Sequence, residues 1–182
     1  NVTGLTSLVP GELLAKQVYI LREPLPGASR IALLINPGKP LHRRALEDEM
    51  PRAVLTFGVT LATVEAARAG ELDSAFVSAV DQRADAVVVF GDDLTNREAP
   101  RIVALAAKPR LPAIYLFRRF AEGGLLVYGH DIVELFRRAG GYVDKILNGT
   151  KRADWHHGAA YATRPCRRGD RIAALCCDCP RS

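Results

Sequence analysis

Two adjacent carboxylates, Asp92 and Asp93, follow the strongly apolar run Asp85–Phe90 after a single glycine. Paired carboxylates bind metal ions, act as general acid and base, or accept a phosphoryl group. They also contact polar ligands, and Asp is a preferred residue at turns and helix N-caps. The sequence leaves these interpretations open. No second acidic cluster and no histidine at a metal-ligand spacing accompanies the pair.

Short apolar runs alternate with helical patterns along the chain. We predict strands at 30–36, 59–64, 85–90, 112–116 and 125–128, with an entering strand or linker at 2–8. We predict helices at 10–23, 41–57, 71–83, 97–108 and 131–147, the second kinked or split at Pro51 and the last capped by Asp131. Near-continuous apolar strands between helices predict an α/β fold, a mostly parallel sheet with helices on both faces.

Open α/β sheets bind ligands outside the carboxyl ends of their strands. This rule selects side chains that suit a small polar ligand with an apolar or aromatic part. The candidate ligand-binding residues are Asn36, Asp92, Tyr115, Arg118 and Tyr128. Each of these residues also has a purely structural interpretation. Asn36 would be a turn residue, Tyr115 and Tyr128 would be core or rim aromatics, and Arg118 would be a solvated surface residue.

The charge and the cysteines are concentrated near the end of the sequence. The formal net charge is +5, and residues 151–182 contain seven basic residues, three acidic residues and all four cysteines. Nucleic-acid-binding proteins usually carry basic residues on a folded element, so we expect no nucleic-acid partner. The spacing of Cys176, Cys177 and Cys179 matches no standard zinc site. Phosphate-loop and nucleophile-elbow motifs are absent, so we expect no cofactor, no metal and no enzyme activity.

Several segments, taken in order, resemble a family of bacterial ABC-type periplasmic substrate-binding proteins. The resemblance begins at Asn1–Thr6, includes Leu13–Lys16, and continues through Pro26–Pro37. Further matching segments are 84–89, 101–107, 111–115, 128–129 and 142–149. No single segment is specific, but their order and spacing are specific together, and they cover residues 1–153.

The resemblance implies the two-lobed type-I periplasmic-binding fold, in which hinge closure over a small-molecule solute presents it to an ABC permease in the inner membrane. It implies a periplasmic location, a hinge crossover at 1–8, a second lobe at 9–153, and a first lobe preceding this segment. Some members of the wider family bind aromatic amino acids, so the expected solute is an amino acid, aromatic or otherwise. Asp92 would pair with its amino group, and Tyr115 and Tyr128 would line the cleft.

Residues 154–182 depart from the family pattern, in which a proline-containing return segment and a further strand follow. The sequence instead becomes Trp155-His-His-Gly and then an Arg- and Cys-rich stretch. We interpret this change as a frameshifted reading of a GC-rich gene, and we expect a disordered tail. Loss of the return segment would expose apolar surface and favour aggregation. Pro51 and Asp93 are two further departures from the family pattern.

Two other classes of function are compatible with such a fold. The effector-sensing domain of a transcription regulator has the same two lobes, and an upstream helix-turn-helix would identify it. A small α/β enzyme using Asp92 and Asp93 would lose turnover on Asp92→Asn, whereas a binding protein would lose ligand affinity alone. Fold analogy does not choose among these classes, and the resemblance favours solute import.

Overall fold

The computed structural model describes residues 13–129 and 131–149. These residues belong to two compact units, one containing residues 13–129 and the other containing residues 131–149. The hinge crossover and entering strand predicted before residue 9, and the tail predicted after residue 153, lie outside the described residues.

The first unit is built on a five-stranded sheet in the order β2-β1-β3-β4-β5. Its strands are β1 (Arg30–Ile35), β2 (Thr60–Glu65), β3 (Ala86–Val89), β4 (Ala113–Tyr115) and β5 (Leu126–Val127). Every adjacent pair is parallel, and Ile31 of β1 lies opposite both Leu61 of β2 and Ala86 of β3. The predicted parallel sheet is confirmed. Four strands lie inside their predicted segments, and β2 extends one residue beyond its predicted end at Val64.

The helices of this unit are α1 (Leu13–Arg22), α2 (Pro40–Arg44), α3 (Met50–Phe57), α4 (Leu72–Asp81), α5 (Asp93–Arg97) and α6 (Ala99–Ala107). The split predicted near Pro51 is confirmed, because a π-helical turn, Ala45–Glu49, separates α2 from α3. Pro51 lies in the first turn of α3, where a missing N–H costs no helical hydrogen bond. Helix α5 and a 3-10 turn at Arg118–Glu122 were not predicted.

Side chains along the central strand β1 alternate between the two faces of the sheet. Ala32 and Leu34 belong to a buried cluster completed by α4 and α6. Ile31, Leu33 and Ile35 belong to a second buried cluster, completed by α1 and α3. Helices therefore cover both faces, which confirms the predicted α/β class and explains why β1 is apolar on both sides.

The second unit contains α7 (Ile132–Leu147). As predicted, Asp131 caps this helix, since its Oδ1 accepts the backbone N–H of Glu134 at 3.1 Å. Its large exposed apolar side chains are Val133, Phe136, Val143, Ile146 and Leu147. Within the described ranges, neither α7 nor any other helix is long and apolar enough to cross a membrane.

Candidate ligand-binding site

The direction of the chain connections changes between β1 and β3. The chain leaves β1 for β2 on one side, and it then returns past β1 to β3 on the other side. Such a topological switch opens a crevice at the carboxyl ends of the two strands, where open α/β sheets bind ligands. Asn36 directly follows β1, and Gly91 and Asp92 follow β3. Two of the predicted site residues therefore flank this crevice.

Asn36 and Asp92 contact each other across the crevice. Nδ2 of Asn36 donates a hydrogen bond to Oδ2 of Asp92 at 2.7 Å, and the two residues are only 8% and 9% exposed. Oδ1 of Asn36 accepts the backbone N–H of Gly38 at 3.0 Å. This second bond fixes the orientation of the Asn36 amide, because a flipped amide would lose both bonds.

Asp92 also begins α5. Its Oδ1 accepts the backbone N–H of Thr95 at 2.7 Å, and Oγ1 of Thr95 accepts the backbone N–H of Asp92 at 2.8 Å. This reciprocal arrangement confirms the helix-capping interpretation of Asp92. A carboxylate oxygen has two acceptor sites, and each oxygen of Asp92 accepts one bond from the described residues, so one site per oxygen is left for a ligand donor.

His42, which the sequence did not identify as a candidate, joins the two loops of the crevice. Its Nδ1 accepts the backbone N–H of Asn36 at 2.9 Å, and its Nε2 lies 3.2 Å from the carbonyl oxygen of Gly91. The residue is 5% exposed. Its ring stands edge-on to that of Phe90, with the ring centroids 5.3 Å apart. The sequence contained one signal for this residue, which is a histidine in the first turn of the helix that follows the β1 strand-end loop.

An ion pair joins the same two loops at the surface. Nζ of Lys39 lies 2.9 Å from Oδ2 of Asp93, whose side chain is 91% exposed. Their hydrogen bond is the main cause of a raised pKa for Lys39 and a lowered pKa for Asp93. Exposed pairs of this kind contribute little to stability because water and salt screen them. Asp93 therefore has a different partner from Asp92, although the two residues are adjacent.

Gly91 allows the loops after β3 and β4 to approach closely. A Cβ atom at this position would lie 2.3 Å from Cδ2 of Leu116 and 2.9 Å from the ring of Phe117. Carbon atoms in van der Waals contact are about 3.5–4.0 Å apart, so any side chain here would displace its neighbours. The absence of a side chain at Gly91 thus helps to set the width of this edge of the site.

An apolar cavity of about 280 Å³ adjoins the crevice. Its lining residues include Leu14, Gln17, Leu41, His42, Phe90, Gly91 and Leu116, together with the charged Arg44, Asp48 and Glu49. Ligand pockets are commonly about 300–1,000 Å³ and largely apolar, with a few polar groups that orient the ligand. The cavity thus suits the apolar part of a small molecule, and His42 and Gly91 link it to the Asn36–Asp92 pair.

Tyr115 does not line the crevice, in contrast to the prediction. It is 2% exposed and belongs to the buried cluster packed by α4 and α6. Its ring stacks on that of Phe120, with centroids 4.3 Å apart and planes inclined by 9°. Burial raises the pKa of the Tyr115 hydroxyl to about 12. The cause is that successive residues of a strand point to opposite faces of the sheet. Ile114 points to the face covered by α1 and α3, so Tyr115 points to the face covered by α4 and α6.

The other two candidates follow β4 and β5. Arg118 opens the 3-10 turn after β4 and is exposed. Tyr128 is half-buried and packs against the cluster formed with α1 and α3. Its carbonyl oxygen accepts a hydrogen bond from Nε2 of Gln17 at 3.3 Å. The structure therefore shows direct contact for Asn36 and Asp92, and it places Arg118 and Tyr128 at the same end of the sheet.

The described residues contain no group of three or more His, Cys, Asp or Glu that could hold a metal ion. The tail cysteines and His156 and His157 lie outside the described part of the chain. The crevice instead offers one carboxylate, one fixed amide and an apolar cavity. Such a set can bind and orient a small molecule that carries a hydrogen-bond donor.

Solved structures share this fold. A conserved domain protein from Vibrio cholerae superimposes with a TM-score of 0.69 at 23% identity, covering 82% of this chain and 49% of that one. The ABC domain in complex with L-Trp from Streptococcus pneumoniae superimposes with a TM-score of 0.68 at 23% identity, covering 85% of this chain and 51% of that one. The third is the ligand-free, open structure of a substrate-binding protein with adhesive properties from Clostridium difficile. It superimposes with a TM-score of 0.64 at 21% identity, covering 84% of this chain and 50% of that one.

This chain spans about half the length of these three proteins. Identities at this level establish the fold, which is that of periplasmic substrate-binding proteins. No curated protein matches the chain in sequence.

The family assignment comes from the sequence of the chain as a whole. The ABC transporter substrate binding protein family matches residues 1–164. This match includes all the segments of the resemblance, extends past residue 153, and ends within the segment 154–182. The chain therefore belongs to the ABC transporter substrate-binding protein family.

Proposed function

We propose that this chain supplies one lobe of the solute-binding component of an ABC importer. With a second lobe it would enclose a small molecule in the periplasm and present it to an ABC permease in the inner membrane. The observation that carries this proposal is the buried Asn36–Asp92 hydrogen bond at the β1–β3 switch point, in a chain of the substrate-binding family.

The proposed solute is an amino acid, with an aromatic side chain as the first candidate. A ligand ammonium group would bind the free acceptor sites of the Asp92 carboxylate, since charge-assisted hydrogen bonds are stronger than neutral ones. Its apolar side chain would enter the cavity beside Phe90 and Leu116. The Streptococcus pneumoniae protein, which has the same fold, is in complex with L-Trp.

The proposed roles of the remaining side chains follow from their positions. Asn36 orients the Asp92 carboxylate through the bond at 2.7 Å. Arg118 and Tyr128 are proposed as further contacts, Arg118 with the ligand carboxylate and Tyr128 with its apolar part. Tyr115 is proposed to act through packing, by holding β4 against Phe120.

A thermal-shift screen of the chain against the proteinogenic amino acids, including L-tryptophan, tests this proposal. A ligand that binds the native state alone at 100 times its Kd stabilises it by about 2.7 kcal/mol. We expect at least one amino acid to raise the Tm, and Asp92→Ala to abolish that rise. Asp93→Asn is the matched control and should retain it. An amino acid that raises the Tm of both variants equally would contradict the assigned site.

Catalysis by the two carboxylates is less well supported. Asp92 caps α5 and bonds to Asn36, whereas Asp93 pairs with Lys39 at the surface. The two side chains therefore have separate partners, which differs from a carboxylate dyad that shares a proton. The family match also favours solute capture over effector sensing by a transcription regulator.

A further inference from the structure

His42 contacts both loops that carry the Asn36–Asp92 pair. One ring nitrogen bonds to the backbone of Asn36, and the other lies against the carbonyl of Gly91, the residue directly before Asp92. Each member of the pair is therefore attached, through its own backbone or that of its neighbour, to the same ring. Because the ring is rigid, it sets the separation between the two loops.

The hydrogen bonds assign the protonation state of the ring. Nδ1 accepts the N–H of Asn36, so this nitrogen carries a lone pair and no proton. A neutral imidazole then has its proton on Nε2, which donates to the carbonyl oxygen of Gly91 at 3.2 Å. A doubly protonated ring would place an N–H at Nδ1 against the N–H of Asn36, and this contact would be lost.

We propose that His42 is a positioning residue for the solute site, and that it holds Asn36 and Asp92 in register through its neutral Nε2–H tautomer. This inference rests on the proposed function for its consequence, which is that solute affinity falls when the hydrogen bond between His42 Nδ1 and the backbone N–H of Asn36 is lost.

Apolar side chains and a few charged groups surround His42. Helix α1 presents Leu13, Leu14 and Gln17 to the shared cavity, and the ends of β3 and β4 present Phe90, Gly91 and Leu116. The charged groups are Arg44, Asp48 and Glu49, from α2 and the π-helical turn, and Asp92 lies beyond Asn36. Glu49 also accepts the backbone N–H of Leu14 at 2.9 Å.

Nuclear magnetic resonance of the isotope-labelled chain tests the proposal without any ligand. Long-range proton–nitrogen spectra should show His42 as the Nε2–H tautomer at neutral pH. During an acid titration, the backbone amide of Asn36 should shift with the same midpoint as the His42 ring. In His42→Asn, whose side-chain oxygen replaces Nδ1 as acceptor, the Asn36 amide should no longer follow this titration. In His42→Leu the Asn36 amide should lose its protection from hydrogen exchange.

Two results would overturn the inference: an Nδ1–H tautomer in the wild-type protein, or an Asn36 amide that does not respond to His42 titration. Both are read from the wild-type chain, so a variant that fails to fold does not affect them. They are also independent of solute binding, so failure of the proposed function would appear separately as the absence of any amino-acid ligand. If a solute is found, its Kd should rise in His42→Leu, which lacks an acceptor for the Asn36 N–H, and stay near the wild-type value in His42→Asn, which keeps one.

Discussion

Replacing Asp92 with Ala removes two buried hydrogen bonds made by different oxygens of one carboxylate. Loss of the N-cap of α5 costs about 0.5–2 kcal/mol. The Nδ2 donor of Asn36, in a residue only 8% exposed, is left without its partner, which costs about 1–3 kcal/mol. We therefore expect Asp92→Ala to lower the free energy of unfolding by about 2–5 kcal/mol.

Asp92→Asn separates the two contributions. The Asn side chain keeps an oxygen for the N–H of Thr95, but its NH₂ group then faces Nδ2 of Asn36, so two donors oppose each other. Asn36 is unable to turn its amide without losing the bond to Gly38. The expected loss is about 1–3 kcal/mol, from the unpaired buried donor alone.

Urea unfolding followed by circular dichroism measures both effects. With an m-value of about 2 kcal/mol per molar urea, the expected loss of about 2–5 kcal/mol should lower the Asp92→Ala midpoint by roughly 1–2.5 M. Asp93→Ala is the matched control, because it removes the adjacent, exposed carboxylate, and its midpoint should stay near that of the wild type. Equal midpoints for Asp92→Ala and Asp93→Ala would refute the assignment of Asp92 as a buried, doubly bonded residue.

Three further predictions concern the scaffold of the first unit. Gly129→Ala places a Cβ atom 2.2 Å from the carbonyl oxygen of Leu116, so it should destabilise the chain by about 1–3 kcal/mol in urea unfolding. Gly27→Ala, which meets nothing within 4 Å, should be close to neutral in the same assay. Ile102→Ala, at a fully buried position of α6, should cost about 2–5 kcal/mol, and a cost typical of surface positions would contradict the described packing. Oδ2 of Asp85 accepts the backbone N–H groups of Ser29 and Arg30 at 2.8 and 2.9 Å, which lowers its pKa below the ordinary 3.8. Its stabilising contribution is therefore full above pH 3.8 and is lost as the pH falls through the lowered pKa. The stability gap between wild type and Asp85→Asn should thus close in acid, and a gap that widens there would contradict the hydrogen bonds.

The fold could be predicted because its strands are buried on both faces. Runs such as Ile31–Ile35 and Ala86–Phe90 are apolar throughout, and this pattern between helices is typical of a parallel sheet. The strand order was not predictable in the same way, since it depends on which side each helix crosses. Helix α5 was missed because its five residues are too few to show a helical period, although an Asp three residues before a Thr is a capping signal.

The strand-end rule selected Asn36 and Asp92 as candidates because both lie in the loops that follow β1 and β3 at the switch point. Their role in ligand binding stays a prediction. The rule also selected Tyr115, which is buried in the cluster on one face of the sheet, because it ignores the face to which a strand residue points. His42 was missed because its role consists of contacts with two loops that are distant in sequence, and no spacing pattern reports such contacts.

The central claim is that the β1–β3 crevice binds a solute. Titration of the nitrogen-labelled chain with L-tryptophan and the other proteinogenic amino acids, followed in proton–nitrogen spectra, tests it most directly. We predict that at least one amino acid shifts the amide signals of Asn36, Gly91, Asp92 and Thr95, and that Asp92→Ala abolishes these shifts. Unchanged signals at these four residues with every amino acid, or shifts confined to another part of the chain, would contradict it.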